Sequence, residues 1–254
     1  MNRFLAPSEI PRDAIILDAR TEAQFSSGHI PGARHAEFVM PKFMIRDAAG
    51  LIHFHGVLQS WIQGIGLGLG NKVLVYDGGI DSRAARTAWA LEYAGFEIAL
   101  LIGGFKAWEA ASQATSNEIT SLTTSNFKLE PRMELLATAE EILNRSENTI
   151  VLDARDSLEF SGQKIPTGAS RGGHIPGAKH FEWTNVMNQN GFQNDSELEQ
   201  SLLSIPKNAE VIVHCQSGAR SAVLFHALES RGYKVKNYLG SMNEWLTNLD
   251  LPIE

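Results

Sequence analysis

The chain has 254 residues, enough for one large domain or two of ordinary size. Its 43% hydrophobic and 20% charged residues are those of a globular protein, and 22 basic against 29 acidic side chains, a formal net charge of −7, disfavour non-specific nucleic-acid binding. No apolar run approaches the roughly 20 residues of a membrane span, MNRFLAPSEIPRDA lacks the pattern of a secretory leader, and a solitary cysteine, unable to form an internal disulfide, predicts a reducing compartment such as the cytoplasm.

In chain order, AIILDAR (14–20) is a short apolar run ending in polar residues, the pattern of a buried parallel strand. GHIPGA (28–33) is a turn, and GIGLGLG (64–70) precedes a strand instead of following one, so it is a poor dinucleotide loop. KVLVYD (72–77) is a second strand, RAARTAWALEY (83–93) a helix ended by Gly95, and EIALLIGG (97–104) a third strand. ASQATSNEITSLTTSN (111–126) is polar and reads as an exposed linker. TAEE (138–141) is a capping pattern that opens a helix. Strand TIVLDAR (149–155), turn GHIPGA (173–178), strand EVIVHC (210–215), a helix through SAVLFHALESR ended by Gly232, and strand KVKNYLGS (234–241) complete the chain. Strands alternating with helices predict an α/β fold with mostly parallel sheets flanked by helices.

The second half repeats the first. LDAR, GHIPGA, the KVLVYD/EVIVHC strand with its helix, and LIGGFKAW/YLGSMNEW recur in the same order, 135 to 145 residues apart. Two copies of one domain are therefore expected: 1–112, a linker at 113–126, and 127–254. Between LDAR and GHIPGA the first copy has seven residues and the second seventeen, so DSLEFSGQKIPTGASRG (156–172) carries an inserted loop.

Cys215 stands where the strand VIVH ends and a helix is about to start, the edge of a parallel sheet at which ligands bind. The small residues Ser217, Gly218 and Ala219 let the backbone curl tightly, so that the N–H groups from Gln216 to Ser221 form an anion-binding nest. With the helix dipole and Arg220 they favour a thiolate, which is a nucleophile. A lone cysteine at the end of an apolar strand is ordinarily an inert buried residue; the adjoining QSGARS is what favours chemistry. Arg220 either binds an anion or braces the loop through an acidic partner, and Arg171 on the inserted loop is a candidate to reach the pocket mouth. Asp153 and Arg155, which recur as Asp18 and Arg20, are expected to form a structural ion pair, and His29 and His174 to be hydrogen-bonded turn residues. The alternation HFH (53–55) is not a convincing metal site.

CQSGARS, LDAR, GHIPGA and the GGFKAW/GSMNEW element together resemble the rhodanese sulfurtransferases, over nearly the whole chain and as two rhodanese-like domains in tandem. The resemblance implies a persulfide on Cys215, formed from a small anionic sulfur donor and discharged to a thiol, to cyanide or to an acceptor protein, with no cofactor or metal. It implies a silent first domain, because Asp77 stands where the second copy has Cys215 and a carboxylate is a poor nucleophile towards sulfane sulfur. Thiosulfate is the donor expected, since Arg220 and Arg171 can offset a dianion; 3-mercaptopyruvate is the alternative. A non-enzymatic persulfide carrier is a further reading. Phosphatases and arsenate reductases of the same fold have five residues between cysteine and arginine, against four here.

Overall fold

The structure is a computed structural model that describes residues 2–38 and 47–254. Compact packing divides the chain into two units: 1–39 with 55–132 and 187–193, and 40–54 with 133–186 and 194–254. Most of 113–126 is exposed, although Ser116 bridges to His29 through two backbone hydrogen bonds of 2.9 Å.

In the first half the chain forms β1 (Phe4–Leu5), β2 (Ile15–Asp18), α1 (Glu22–Ser27), β3 (Arg34–His35), α2 (Ala48–Gly64), β4 (Lys72–Tyr76), α3 (Arg83–Tyr93), β5 (Glu97–Leu101) and α4 (Gly104–Ala110). The strands make one sheet in the order β1-β5-β4-β2-β3, every pair parallel. The second half gives β6 (Leu136–Ala137), α5 (Ala139–Leu143), β7 (Thr149–Asp153), α6 (Ser157–Phe160), β8 (Lys179–His180), β9 (Met187–Asn188), β10 (Gly191–Phe192), α7 (Asp195–Ser201), β11 (Glu210–His214), α8 (Ala219–Ser230), β12 (Lys234–Tyr238) and α9 (Ser241–Thr247). Its sheet runs β6-β12-β11-β7-β8, again all parallel, so the sequence repeat is a repeat of topology.

The central strands are apolar because both faces are covered. Val73 to Tyr76 and Val211 to His214 are all buried, and each enclosed aliphatic side chain contributes about 1.5–3 kcal/mol. The expected stops hold: Gly95 and Gly232 follow α3 and α8 with φ of +93° and +77°, a region open to glycine. Thr138 caps α5 by accepting from the Glu141 N–H at 3.2 Å. The seventeen-residue segment opens with the single turn of α6 before becoming loop. Helix α2 and the β9–β10 hairpin, which packs with the first unit, were not expected from the sequence pattern. No helix among the described residues is long and apolar enough to cross a membrane.

Candidate active site

Strand β11 delivers Cys215 to its carboxyl end, and Gln216 to Gly218 turn the chain into α8. Gly218 makes that turn at φ +80°, where an added Cβ would lie 2.8 Å from Leu239 Cδ1 and 3.1 Å from Leu239 O. The loop is docked on the start of α9. Met242 N–H donates to Cys215 O at 3.1 Å, Asn243 N–H to Gln216 O at 2.9 Å, and Gln216 Nε2 to Asn243 Oδ1 at 2.6 Å. Asn237 Nδ2 donates to Gly218 O at 3.2 Å.

Cys215 is 1% exposed, yet its surroundings are polar. Its N–H donates to Ser241 Oγ at 3.2 Å, and Ser221 Oγ lies 3.6 Å from Sγ while donating to Asn237 Oδ1 at 2.7 Å. Beyond Cys215, the N–H groups of Gln216, Ser217, Gly218, Ala219 and Arg220 carry no hydrogen bond among the described residues, which leaves the loop's donors available to an anion. A cleft of about 90 Å³ adjoins the loop, lined on one side by Pro166, Thr167, Gly168 and Ala169 of the inserted segment and on the other by Gln216, Met242 and Asn243.

The first unit shows the same loop filled from within. Asp77 accepts from the Gly79 N–H at 2.9 Å and from the Ala84 N–H at 3.0 Å. Asp81 accepts from the N–H groups of Ser82 and Arg83 at 2.6 and 3.2 Å. Burial is the main force that lifts the Asp77 carboxyl, to a pKa of about 6, and those two amide bonds hold the rise down.

The arginines are both engaged. Arg220 meets Glu159 in a two-pronged ion pair of 2.6 and 2.9 Å. Burial opposes its charge, but Glu159 and the neighbouring Cys215 hold its pKa above the ordinary guanidinium value. The structure thus forms the bracing contact. Arg171 is spent on carbonyls at the end of α9, donating to Trp245 O at 2.9 Å, Asn248 O at 2.6 Å and Leu246 O at 3.4 Å. It serves there as a helix cap, so neither guanidinium is an unpaired counter-ion for a dianion.

Asp153 and Arg155 form the expected buried pair, at 2.6 Å, and Asp18 and Arg20 its twin, also at 2.6 Å. His29 and His174 each bond a carbonyl, Phe25 O and Phe160 O, at 3.0 Å, in keeping with turn histidines.

Three residues around the loop escaped the sequence reading. Glu159 looks like an ordinary surface glutamate, Asn237 lies inside a strand, and Ser241 replaces the second glycine of the first copy's GG pair. That replacement was the available signal. Ser241 keeps a left-handed φ of +50°, unusual for serine, where Gly104 has +55°. The return is a hydroxyl that receives the Cys215 N–H.

Comparison with known proteins agrees with this geometry. The rhodanese-like domain model matches residues 3–111 and 137–248. A thiosulfate sulfurtransferase of Pseudomonas aeruginosa is 32% identical, covering 98% of this chain and 94% of its own length. A probable 3-mercaptopyruvate sulfurtransferase of the same organism is 29% identical, covering 95% and 92%. The crystal structure of a probable thiosulfate sulfurtransferase superposes with a TM-score of 0.80 at 36% identity, over 96% of this chain and 99% of that one.

Proposed function

The chain belongs to the rhodanese family as a tandem-domain sulfurtransferase, and we propose that it takes sulfane sulfur from thiosulfate through a persulfide on Cys215. The observation that carries this reading is the contrast between the two loops: the one with the thiol keeps its amides uncommitted, and the one without it satisfies them with Asp77 and Asp81.

Cys215 Sγ attacks the outer sulfur of thiosulfate. The S–S bond of the donor breaks, sulfite leaves with the bonding pair, and the transferred sulfur stays on the enzyme as a persulfide anion. The loop amides, fixed before the reaction, hold that anion without reorganising. An acceptor nucleophile then attacks the outer sulfur and leaves with it, restoring the thiolate. An enclosed sulfur favours a donor of few atoms, and the Pseudomonas aeruginosa thiosulfate sulfurtransferase, at 32% identity against 29% for the 3-mercaptopyruvate relative, supports the same donor. Acceptor thiols, an acceptor protein and cytoplasmic residence belong to the same proposal. The silent first domain and the boundaries 1–112 and 127–254 belong to it as well.

The test is mass spectrometry of the intact protein after incubation with thiosulfate. One added sulfur atom, removed by cyanide, is expected. No adduct with thiosulfate or with 3-mercaptopyruvate overturns the reading, and uptake from 3-mercaptopyruvate alone reassigns the donor.

A further inference from the structure

We infer that Glu159 is a positioning residue for the sulfur-transfer site, holding the Arg220 guanidinium against the cysteine loop and cancelling its charge there. The inference rests on the reading of Cys215 as the nucleophile.

Glu159 is the third residue of α6, 6% exposed, and its carboxylate does two things at once. Oε2 accepts from the Asp156 N–H at 3.3 Å, the return half of a capping box in which Asp156 Oδ1 accepts from the Glu159 N–H at 2.8 Å. Both oxygens also receive Arg220, in the fork geometry that fixes a guanidinium in direction as well as distance. Asp156 is itself anchored by Lys164 Nζ at 2.9 Å, and burial works against the low pKa that this lysine and the Glu159 N–H impose on it.

The first unit provides the control. Gln24 occupies the same place in its capping box with Thr21, accepting from the Thr21 N–H at 3.2 Å, and carries no charge. Arg83 at that loop pairs with Asp81 on its own loop and lies 3.7 Å from Glu37. The helix cap is therefore met equally well by glutamine, and the second copy's carboxylate is accounted for by the arginine beside the thiol. A half-buried arginine without an anion would be costly, and one free to swing would not hold the loop.

Thiosulfate kinetics of Glu159→Gln, Arg220→Gln and the double variant test this, with KM and kcat measured at low and high salt. Glu159→Gln leaves one uncompensated positive charge at the loop, so KM for thiosulfate falls severalfold at low ionic strength and returns towards wild type in high salt. Its kcat falls by about tenfold to a hundredfold because the guanidinium is no longer held. Arg220→Gln moves KM upward, and the double variant restores KM while kcat stays low. If Glu159→Gln does not fold, the double variant, which buries no charge, still decides: wild-type kcat there overturns the inference. Wild-type kcat and KM in Glu159→Gln also overturn it, as do losses that ignore salt and follow thermal stability alone. Wild-type protein that takes up no sulfur would instead remove the reading of Cys215.

Discussion

Asp77 and Ala84 are joined by a hydrogen bond of 3.0 Å from the backbone N–H to the carboxylate, across the loop that links β4 to α3. Counted back from the glycines that end the two helices, Ala84 corresponds to Ser221, whose hydroxyl lies 3.6 Å from Cys215 Sγ. The same place in the fold thus contacts a carboxyl group in one unit and the Cys215 thiol in the other.

This relationship sets a pH dependence. The Asp77 pKa is raised from 3.8 to about 6 in the folded state, so the folded chain holds its proton more tightly than the unfolded one. Its stabilising share is complete below pH 3.8 and is lost as pH rises through about 6. A shift of that size corresponds to about 3 kcal/mol. Urea denaturation of wild type and Asp77→Asn from pH 3.5 to pH 7 should show the wild type losing stability relative to the variant over that window. Parallel profiles would contradict the assignment.

Placing a thiol in the first loop should not awaken it. In Asp77→Cys, built on a Cys215→Ser background, Asp81 still occupies the Ser82 and Arg83 amides and repels an anionic donor. No sulfur adduct is expected after thiosulfate. An adduct would mean that the loop amides are not what separates the two units.

Cys215→Ser should abolish thiosulfate turnover and leave the melting temperature within a few degrees of wild type. A hydroxyl is a far weaker nucleophile towards sulfur, but it fits the space beside Ser221 and keeps the backbone donation to Ser241. Residual turnover in a steady-state assay would place the chemistry elsewhere.

Gly218→Ala should destabilise the protein by about 1–3 kcal/mol and lower kcat. The left-handed φ of +80° disfavours any side chain, and the new methyl meets Leu239. Unfolding and turnover measured on one preparation check both effects; an unchanged variant would show that this turn is not tightly held.

The sequence alone determined a good deal. Repeated LDAR and GHIPGA marked the duplication, apolar runs ending at Asp18, Tyr76, Asp153 and His214 marked parallel strands, and Cys215 before QSGARS marked the candidate nucleophile. These are local patterns, because burial on both faces and a tight turn leave their imprint on neighbouring residues. Tertiary structure decided what lies far apart in the chain: that Glu159 pairs with Arg220 across 61 positions, that Ser241 receives the Cys215 N–H across 26, and that Arg171 caps α9 instead of facing a donor. A charged or hydroxyl side chain has no periodicity that names its partner, and a hydrogen bond is satisfied by whichever group the fold brings within about 3 Å.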